Sequence, residues 1–591
     1  MEVHKDFKNF RTPRIFITLF FLSILISIFA FVIVYKVFFN TNKSISLSTI
    51  KSDIAVRGDI FSNDDFTLAS SKKLYKVAVN TNSIHPDKKN LFIRLFAIYS
   101  GTDIQEIEEK IKKKGYIVLS YNLTSDVAKN IKQLNTKLLL LNVFREYIDS
   151  SGRFFQKMGL SVEVSGVSRV YSYNDSLEPV LGYVQKRESG ALTKPSGIKG
   201  LEKYYDLALE PKQDGLFGGK RDIGFNIIYD KKTLMQERKD GSDIYLTVNL
   251  RLQKKIEALL DEFNAKHNAQ EIVAGIMDPS DGSILAIASS NRFDPKNIVS
   301  NSALNASIVE KSFEPGSTIK PIVFSILFEK KLINPLEPID LNKGYYQLGK
   351  YTIKDDTFPA KNSVIQDVLI RSSNVGMVKL TKKLSGQEFF DGLKSFGISE
   401  PTGIDLPYEK SGVIPNPKKL SGEIYKASAS YGYGLSVTFM QLLRAYGAFC
   451  NGGYLVVPHL VKKMVDSNGN VEIPEFEKKR AISALSSRKI QEILIKIVDE
   501  GTGKKAKVDG LIVGGKTGTA RIVKKGGGYA DGIYNGSFFG FVKSGNKSYV
   551  IGVVAFGSHG KEDYYGSQTA APIFKEIVQV MQTQDLLRDK K

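Results

Sequence analysis

The hydrophobic positions begin as an unbroken block. Ile15 to Tyr35, IFITLFFLSILISIFAFVIVY, is 21 residues without a charge. As a helix this block spans about 31 Å at roughly 1.5 Å per residue, which matches a bilayer hydrocarbon core of about 30 Å. Beyond it the apolar positions become periodic. Asp103–Gly115 sets Ile104, Ile107 and Ile111 at spacings of three and four and stops on Gly115, which predicts a helix. Leu91–Ser100 is compact and apolar, and residues 40–239 mix short strand-like runs with helical ones. Pro195–Gly224, rich in Gly, Lys and Asp, predicts long loops. Near Asp240 the pattern changes. IYLTVNL alternates with period two, LRLQKKIEALLDEFNAKH is an amphipathic helix, and EIVAGIMD and SILAIASS form a hairpin around PSDG. Helical runs dominate to about Asp499. LIVGGKTGTARIV, GSFFGFVK and SYVIGVVAFG then read as three strands, followed by a helix from about Ala570. Two strands at the start, three at the end and helices inserted between them predict one α/β domain closed by its own termini.

Composition narrows the class. With 42% hydrophobic and 25% charged residues the chain has ordinary globular usage, which excludes wholesale disorder. Its 591 residues suggest about three to five domains. The single cysteine, Cys450, excludes an intrachain disulfide and a CxxC site. His4, His85, His267, His459 and His559 are scattered without an HExxH, which argues against a histidine-rich metal site. The net charge of +21 suits nucleic acid, an anionic membrane surface or an acidic polymer equally well. The apolar block decides among these. It exceeds the roughly 7–15 residues of a signal-peptide core, and Phe38 and Phe39 follow it where a cleavage site would need small residues. Lys5, Lys8, Arg11 and Arg14 precede it, while only Lys36 and Lys43 follow closely. The positive-inside rule therefore expects a cytoplasmic tail over 1–14, a transmembrane anchor over 15–39 and an extracytoplasmic body beyond. That location sets nucleic acid aside and turns the positive charge toward membrane lipid or a wall polymer. The body divides into a module over 40–240, without a cluster of catalytic groups, and a second domain over 241–591.

Three stretches of that second domain can carry chemistry. Glu314-Pro-Gly-Ser-Thr-Ile-Lys320 puts Ser317 at or just inside a helix start, with Lys320 three residues on over the same face. A neutral lysine can take the proton of a serine nucleophile, and free backbone N–H groups can hold an oxyanion. Alone, the spacing fits an ordinary capped helix equally well. Ser372-Ser373-Asn374 interrupts two helical runs and can present a hydroxyl and an amide together, or simply cap a helix. Gly514-Gly515-Lys516-Thr517-Gly518-Thr519 lies on a strand, where glycines signal close approach to the backbone. The same residues match the GxxxxGK[ST] phosphate-loop pattern, but Leu-Ile-Val before them and Ala-Arg-Ile-Val after them are extended, where that loop needs an irregular nest and then a helix.

Taken in order, SxxK, then SxN 55 residues on, then KTG 144 beyond that, resembles the motif set of penicillin-binding proteins and class A β-lactamases. Further boxes are similar to class B penicillin-binding proteins in particular. They are Arg57-Gly58-Asp59-Ile60-Phe61 with Leu68-Ala69, Gly200-Leu201-Glu202 with Tyr204, Gly241 to Thr247, Met277-Asp278-Pro279, and Gly432-Tyr433-Gly434 with Thr438 and Gln441. Ser62 departs from the aspartate usual at its position in the first box. The resemblance covers most of residues 55–580 and implies a single-pass enzyme with an α+β pedestal and a transpeptidase domain on a five-stranded antiparallel sheet. It implies a peptidoglycan D,D-transpeptidase, inhibited covalently by β-lactams, in a bacterial inner membrane. Ser317 would be the nucleophile, Lys320 the general base and Ser372 the proton relay. Asn374 would hold the substrate amide, and Lys516, Thr517, Gly518 and Thr519 its carboxylate and oxyanion. Arg57 and Gly58 would serve the pedestal's fold or a partner contact. No metal or cofactor is expected. Stem peptides are the expected substrates, and the expected partners are a SEDS-family glycosyltransferase and division proteins. The Asp499-Glu-Gly-Thr-Gly503 run before KTG is more similar to the septal branch than to the elongation branch. A membrane-anchored β-lactamase or β-lactam sensor would share the triad without needing the pedestal.

Overall fold

The computed structural model describes residues 12–38, 48–149, 151–189, 192–221, 227–231, 233–298, 304–357, 362–524, 526–559 and 565–587. Two compact units emerge, one from residues 1–54 with 213–238 and one from 55–212 with 239–591. In the first, the apolar block forms a helix, Thr12–Phe38. Its Pro13–Lys36 stretch has a mean hydropathy of 2.9 and none of it is buried, so by length and composition it can cross a membrane. Residues 1–11, with Lys5, Lys8 and Arg11, and Phe39 lie outside the described residues. The same unit holds a three-stranded antiparallel sheet of Ser48–Asp53, Gly215–Lys220 and Leu234–Gln236. The expectation of long loops over Pro195–Gly224 is thus corrected. The segment contains this strand, part of another at Leu192–Gly197, and two short helices, Gly200–Tyr204 and Asp206–Leu209. Glycine-rich strands carry too few apolar side chains to register as strands in the sequence.

The second unit begins with the pedestal. Thr67–Asn80 pairs with Ser161–Tyr171 and Tyr116–Leu123, and three helices, Lys89–Ser100, Ile104–Lys112 and Ser125–Leu140, close a small core around Phe92, Phe96, Ile107, Ile131 and Leu138. Asp103 caps the second helix as its sequence suggests, accepting from Gln105 N at 2.7 Å. The alternating strand Asp243–Leu246 is not part of the catalytic sheet. It pairs in parallel with Ile60–Phe61 of the pedestal and antiparallel with Val461–Val465 from deep in the second half of the chain. One sheet therefore runs across the 240/241 boundary.

Arg57 sits at this seam, fully buried. Its Nε meets Glu202 Oε2 at 2.7 Å and its Nη1 meets Asp206 Oδ1 at 2.6 Å, while Arg169 Nε takes the other Glu202 oxygen at 2.6 Å. Gly58 is required by close approach, because a Cβ there would stand 2.0 Å from Ser242 O. Arg57 thus ties residues of the pedestal together, while Gly58 lets it approach the backbone at 241–242. Ser62 does its own local work, its Oγ accepting from Phe66 N at 3.0 Å to close the turn after Ile60–Phe61.

The catalytic domain is built on five antiparallel strands: β1 Glu271–Met277, β2 Ile284–Ser289, β3 Ile512–Val523, β4 Tyr529–Ser544 and β5 Lys547–His559, in the order β2-β1-β5-β4-β3. One face is covered by the helices Leu250–His267 and Ala570–Thr583, around Ile256, Leu260, Ile551, Phe574 and Ile577. The opposite face packs against the helices inserted between β2 and β3, among them Lys320–Glu329 and Phe439–Gly447. β3, an edge strand, stays extended to Val523, so the phosphate-loop pattern is carried by a strand.

Candidate active site

Ser317 lies in a 3-10 turn, Gly316–Ile319, that runs directly into the helix Lys320–Glu329. Lys320 N donates to Ser317 O, the i to i+3 bond of such a turn, which sets the two residues on one face. The turn is held from below by Tyr446 OH donating to Thr318 O at 2.8 Å. Its N-terminal edge abuts β3 so closely that a Cβ on Gly518 would stand 2.8 Å from Pro315 O. Gly518 therefore lets the strand reach the serine turn. Lys516, Thr517 and Thr519 are carried to the same place by the strand's register.

Ser372 occupies the bend between the helices Asp367–Ile370 and Asn374–Thr381 with φ +59°, a left-handed conformation that a serine adopts only when its surroundings impose it. Ser373 caps the second helix, its Oγ accepting from Gly376 N at 2.9 Å. Lys320 is wholly buried, and its Nζ lies 2.7 Å from Ser372 O, 2.7 Å from Asn374 Oδ1 and 3.2 Å from Ser372 Oγ. Burial brings its pKa down to about 8, against the opposing pull of Asp355 and Asp356. A neutral amine has two N–H bonds and one lone pair. The charged amine donates in all three contacts, and the neutral form gives up one of them, which leaves its lone pair able to accept a proton.

Lys516 is equally buried and its Nζ donates to Thr517 O at 3.0 Å. Its pKa is lowered well below the usual lysine value, first by burial and then by Lys320. Thr517 Oγ1 donates to Thr502 Oγ1 at 3.3 Å, which brings the Asp499–Gly503 run against the KTG strand. Thr519 Oγ1 accepts from Gly566 N at 3.1 Å.

All eight expected residues of the cleft, from Ser317 to Thr519, converge here, while Arg57 and Gly58 belong to the pedestal seam. Sequence reasoning missed Asp355 and Asp356. Asp355 follows the hairpin of Tyr345–Leu348 and Tyr351–Lys354 and anchors the Ser-Ser-Asn bend, accepting from Ser373 Oγ at 2.6 Å and from Val375 N at 2.9 Å. The only sequence signal is an acidic pair at the end of a short strand-like run.

Comparison with known proteins agrees with this geometry. The family described as penicillin binding protein transpeptidase domain matches residues 272–579, just over half of the chain, and penicillin-binding protein dimerisation domain matches 52–246. Stage V sporulation protein D of Bacillus subtilis is 29% identical over 541 residues, 88% of this chain and 77% of that protein. Peptidoglycan D,D-transpeptidase FtsI of Buchnera aphidicola is 26% identical over 533 residues, 85% of this chain and 84% of that one. Penicillin-binding protein PbpB of Mycobacterium tuberculosis is 30% identical over 397 residues, 64% of this chain and 58% of that protein. A crystal structure of a peptidoglycan synthetase from Bifidobacterium adolescentis shares the fold with a TM-score of 0.68 at 23% identity, covering 92% of this chain and 98% of that one. With the transpeptidase family matched over most of the catalytic domain and the dimerisation family over the pedestal, the chain belongs to the class B penicillin-binding proteins.

Proposed function

We propose that the protein crosslinks peptidoglycan as a serine D,D-transpeptidase through Ser317, and that it does so in septal wall synthesis. Ser317 Oγ attacks the carbonyl between the two terminal D-alanines of a donor stem as Lys320 Nζ takes its proton. The C–N bond breaks, and Ser372 passes a proton to the departing D-alanine. Asn374 holds the substrate amide, Lys516, Thr517 and Thr519 hold the terminal carboxylate, and the N–H groups of Ser317 and Thr519 hold the oxyanion. The amine of a second stem then attacks the ester carbonyl, forms the crosslinking amide and returns a proton to Ser317. A β-lactam enters as the donor does and stays as the ester. The observation that carries this reading is the buried Lys320 amine, one turn after a half-buried serine and in contact with both Ser372 and Asn374.

The anchor helix and the basic residues before it support a single-pass protein with a cytoplasmic N-terminus and its catalytic domain outside, beside membrane lipid. Residues 40–240 hold no catalytic constellation, which fits a positioning role next to a SEDS-family glycosyltransferase and division proteins. The resemblance of the Asp499–Gly503 run to the septal branch supports that role. Fluorescent penicillin labelling with peptide mapping tests the nucleophile. Label on another residue, or undiminished label in Ser317→Ala, overturns it. Depletion in cells tests the role, with filaments expected and rounded cells contradicting it.

A further inference from the structure

The sheet of Ser48–Asp53, Gly215–Lys220 and Leu234–Gln236 serves none of the steps above, and its two faces differ. Its register sets Ile50, Gly218 and Leu234 in one row, Ser52, Leu216 and Gln236 in the next, and Ser48 with Lys220 at the end. Paired residues share a face and side chains alternate along each strand, so these rows make up one face. Ile50 and Leu234 lean together over Gly218, where a Cβ would stand 3.1 Å from Ile50 Cγ1 and 3.7 Å from Leu234 Cβ. Among the strand residues of this face only Lys220, at the end, is charged. The opposite face carries Lys51, Asp53, Phe217 and Met235, and Asp53 pairs with Arg238 at 3.2 Å. That face is partly covered. Tyr229 meets Phe217 with ring centroids 5.1 Å apart, and a Cβ on Gly219 would stand 3.0 Å from Ile227 Cγ2. The uncharged face stays open, with Ile50 68% and Leu234 50% exposed.

A three-stranded sheet gains independent stability from an apolar face that packs against something. The length of the chain says what lies within reach. The anchor helix ends at Phe38 and the sheet begins at Ser48, in the same compact unit. Residues 39–47 span at most about 32 Å even when fully extended. The sheet is therefore tethered close to the bilayer surface from which the anchor emerges. Charge contributes little to the attraction, because Lys51, Lys220 and Arg238 are matched by Asp53, Asp214 and Glu237. What remains is an apolar row with one lysine at its edge, whose aliphatic stem can lie along acyl chains while its ammonium stays at the headgroups.

We infer that the uncharged face of this sheet lies on the extracytoplasmic leaflet of the membrane, with Ile50, Leu216 and Leu234 against the acyl chains and Lys220 at headgroup level. The contact is a second attachment to lipid, separate from the anchor helix. It rests on the anchor reading given under the proposed function.

The chain has no tryptophan, so a single introduced one reports from a single place. The full-length protein is reconstituted in phosphatidylcholine vesicles with and without bromine on the acyl chains. Tryptophan emission is compared for Leu25→Trp in the anchor, Ile50→Trp and Leu234→Trp on the uncharged face, and Met235→Trp on the other. Positions 234 and 235 are neighbours on one strand, so they differ in face and hardly in distance from the bilayer. Ile50→Trp and Leu234→Trp should lose roughly half their emission to the bromines, because an interfacial apolar face sinks about 5–10 Å into the headgroup and acyl boundary. Met235→Trp should lose little. Unquenched Ile50→Trp and Leu234→Trp beside a quenched Leu25→Trp overturn the inference, since the face is then in water or against protein. Equal quenching at 234 and 235 also overturns it, because the sheet would not be lying on that face. Ile50 and Leu234 stand on different strands, so a misfolded variant at one leaves the other to report. If Leu25→Trp itself is unquenched, the anchor reading fails and takes this inference with it.

Discussion

The acylation rate should follow the deprotonation of one buried amine. Lys320 must be neutral to accept the Ser317 proton, and burial brings its pKa to about 8 where an exposed lysine stays near 10.4. Two pKa units and more correspond to about 3 kcal/mol in favour of the neutral form. Even so, only about one molecule in ten carries the neutral amine at pH 7, and about one in a hundred at pH 6. The second-order rate constant for acylation by benzylpenicillin should therefore rise about tenfold per pH unit from 6 to 7.5, bend near 8 and level off above 9. The sign is fixed by the role: a base gains as pH rises, whereas a lysine acting only as a positive charge would lose. The assay is stopped-flow or quenched single-turnover acylation, using a β-lactam whose carboxylate stays ionised throughout. A flat profile between pH 6 and 9, or a rate that falls with pH, would refute Lys320 as the base.

Other outcomes follow from the same geometry. Asp356→Asn removes a carboxylate that raises Lys320, so the bend of that profile should move to lower pH, and an unmoved bend counts against the coupling. Lys320→Arg should fail as badly as Lys320→Ala, losing roughly 10²–10⁴ in acylation rate, because a guanidinium keeps its charge; substantial activity in the arginine variant would reduce Lys320 to an electrostatic residue. Arg57→Ala leaves Glu202 and Asp206 without their shared partner and should cost about 3–5 kcal/mol in pedestal stability, seen as lower protein level and earlier thermal unfolding; an unchanged unfolding midpoint would contradict the seam's role. Cys450, whose thiol is pushed up to about 12 by burial, should resist alkylation, and Cys450→Ala should acylate within about threefold of the parent; loss of acylation in a folded variant would give the thiol a role it lacks here.

Long-range architecture and local chemistry were legible to different degrees. The anchor, the hairpin around PSDG, the three closing strands and the serine–lysine–KTG set were visible because each is a contiguous run with its own period or spacing. The pedestal sheet was not. Ile60–Phe61 is two residues long and Val461–Val465 five, too short to show alternation, and their pairing with Asp243–Leu246 joins segments about 180 residues apart on one side and about 220 on the other. Strand identity there is fixed by tertiary partners, which no local window contains. That is why the alternation of IYLTVNL marked a strand without naming its partners. Within the cleft, the groups proposed to do chemistry were legible as an ordered set of motifs, none of which was specific alone. Asp355, which sets the Ser-Ser-Asn bend, and Glu314, which holds Gly434 N, act through contacts to residues 18 and 120 positions away, and only the fold brings those together.

The shared sheet has a bearing on how such enzymes can be recombined. A gene crossover near codon 240 looks like a clean exchange of modules, with one parent supplying the pedestal and the other the catalytic half. It would in fact split a three-part joint, because the Val461–Val465 strand travels with one parent while Ile60–Phe61 comes from the other, both docking on Asp243–Leu246. Hybrids should survive only when the parents match across all three segments, or when the exchanged piece lies wholly inside the catalytic half and leaves residues 461–472 untouched. Mosaic alleles of this chain should accordingly have breakpoints concentrated between these segments and the cleft, and a hybrid engineered at the apparent domain boundary should need the Val461–Glu472 hairpin of its pedestal donor.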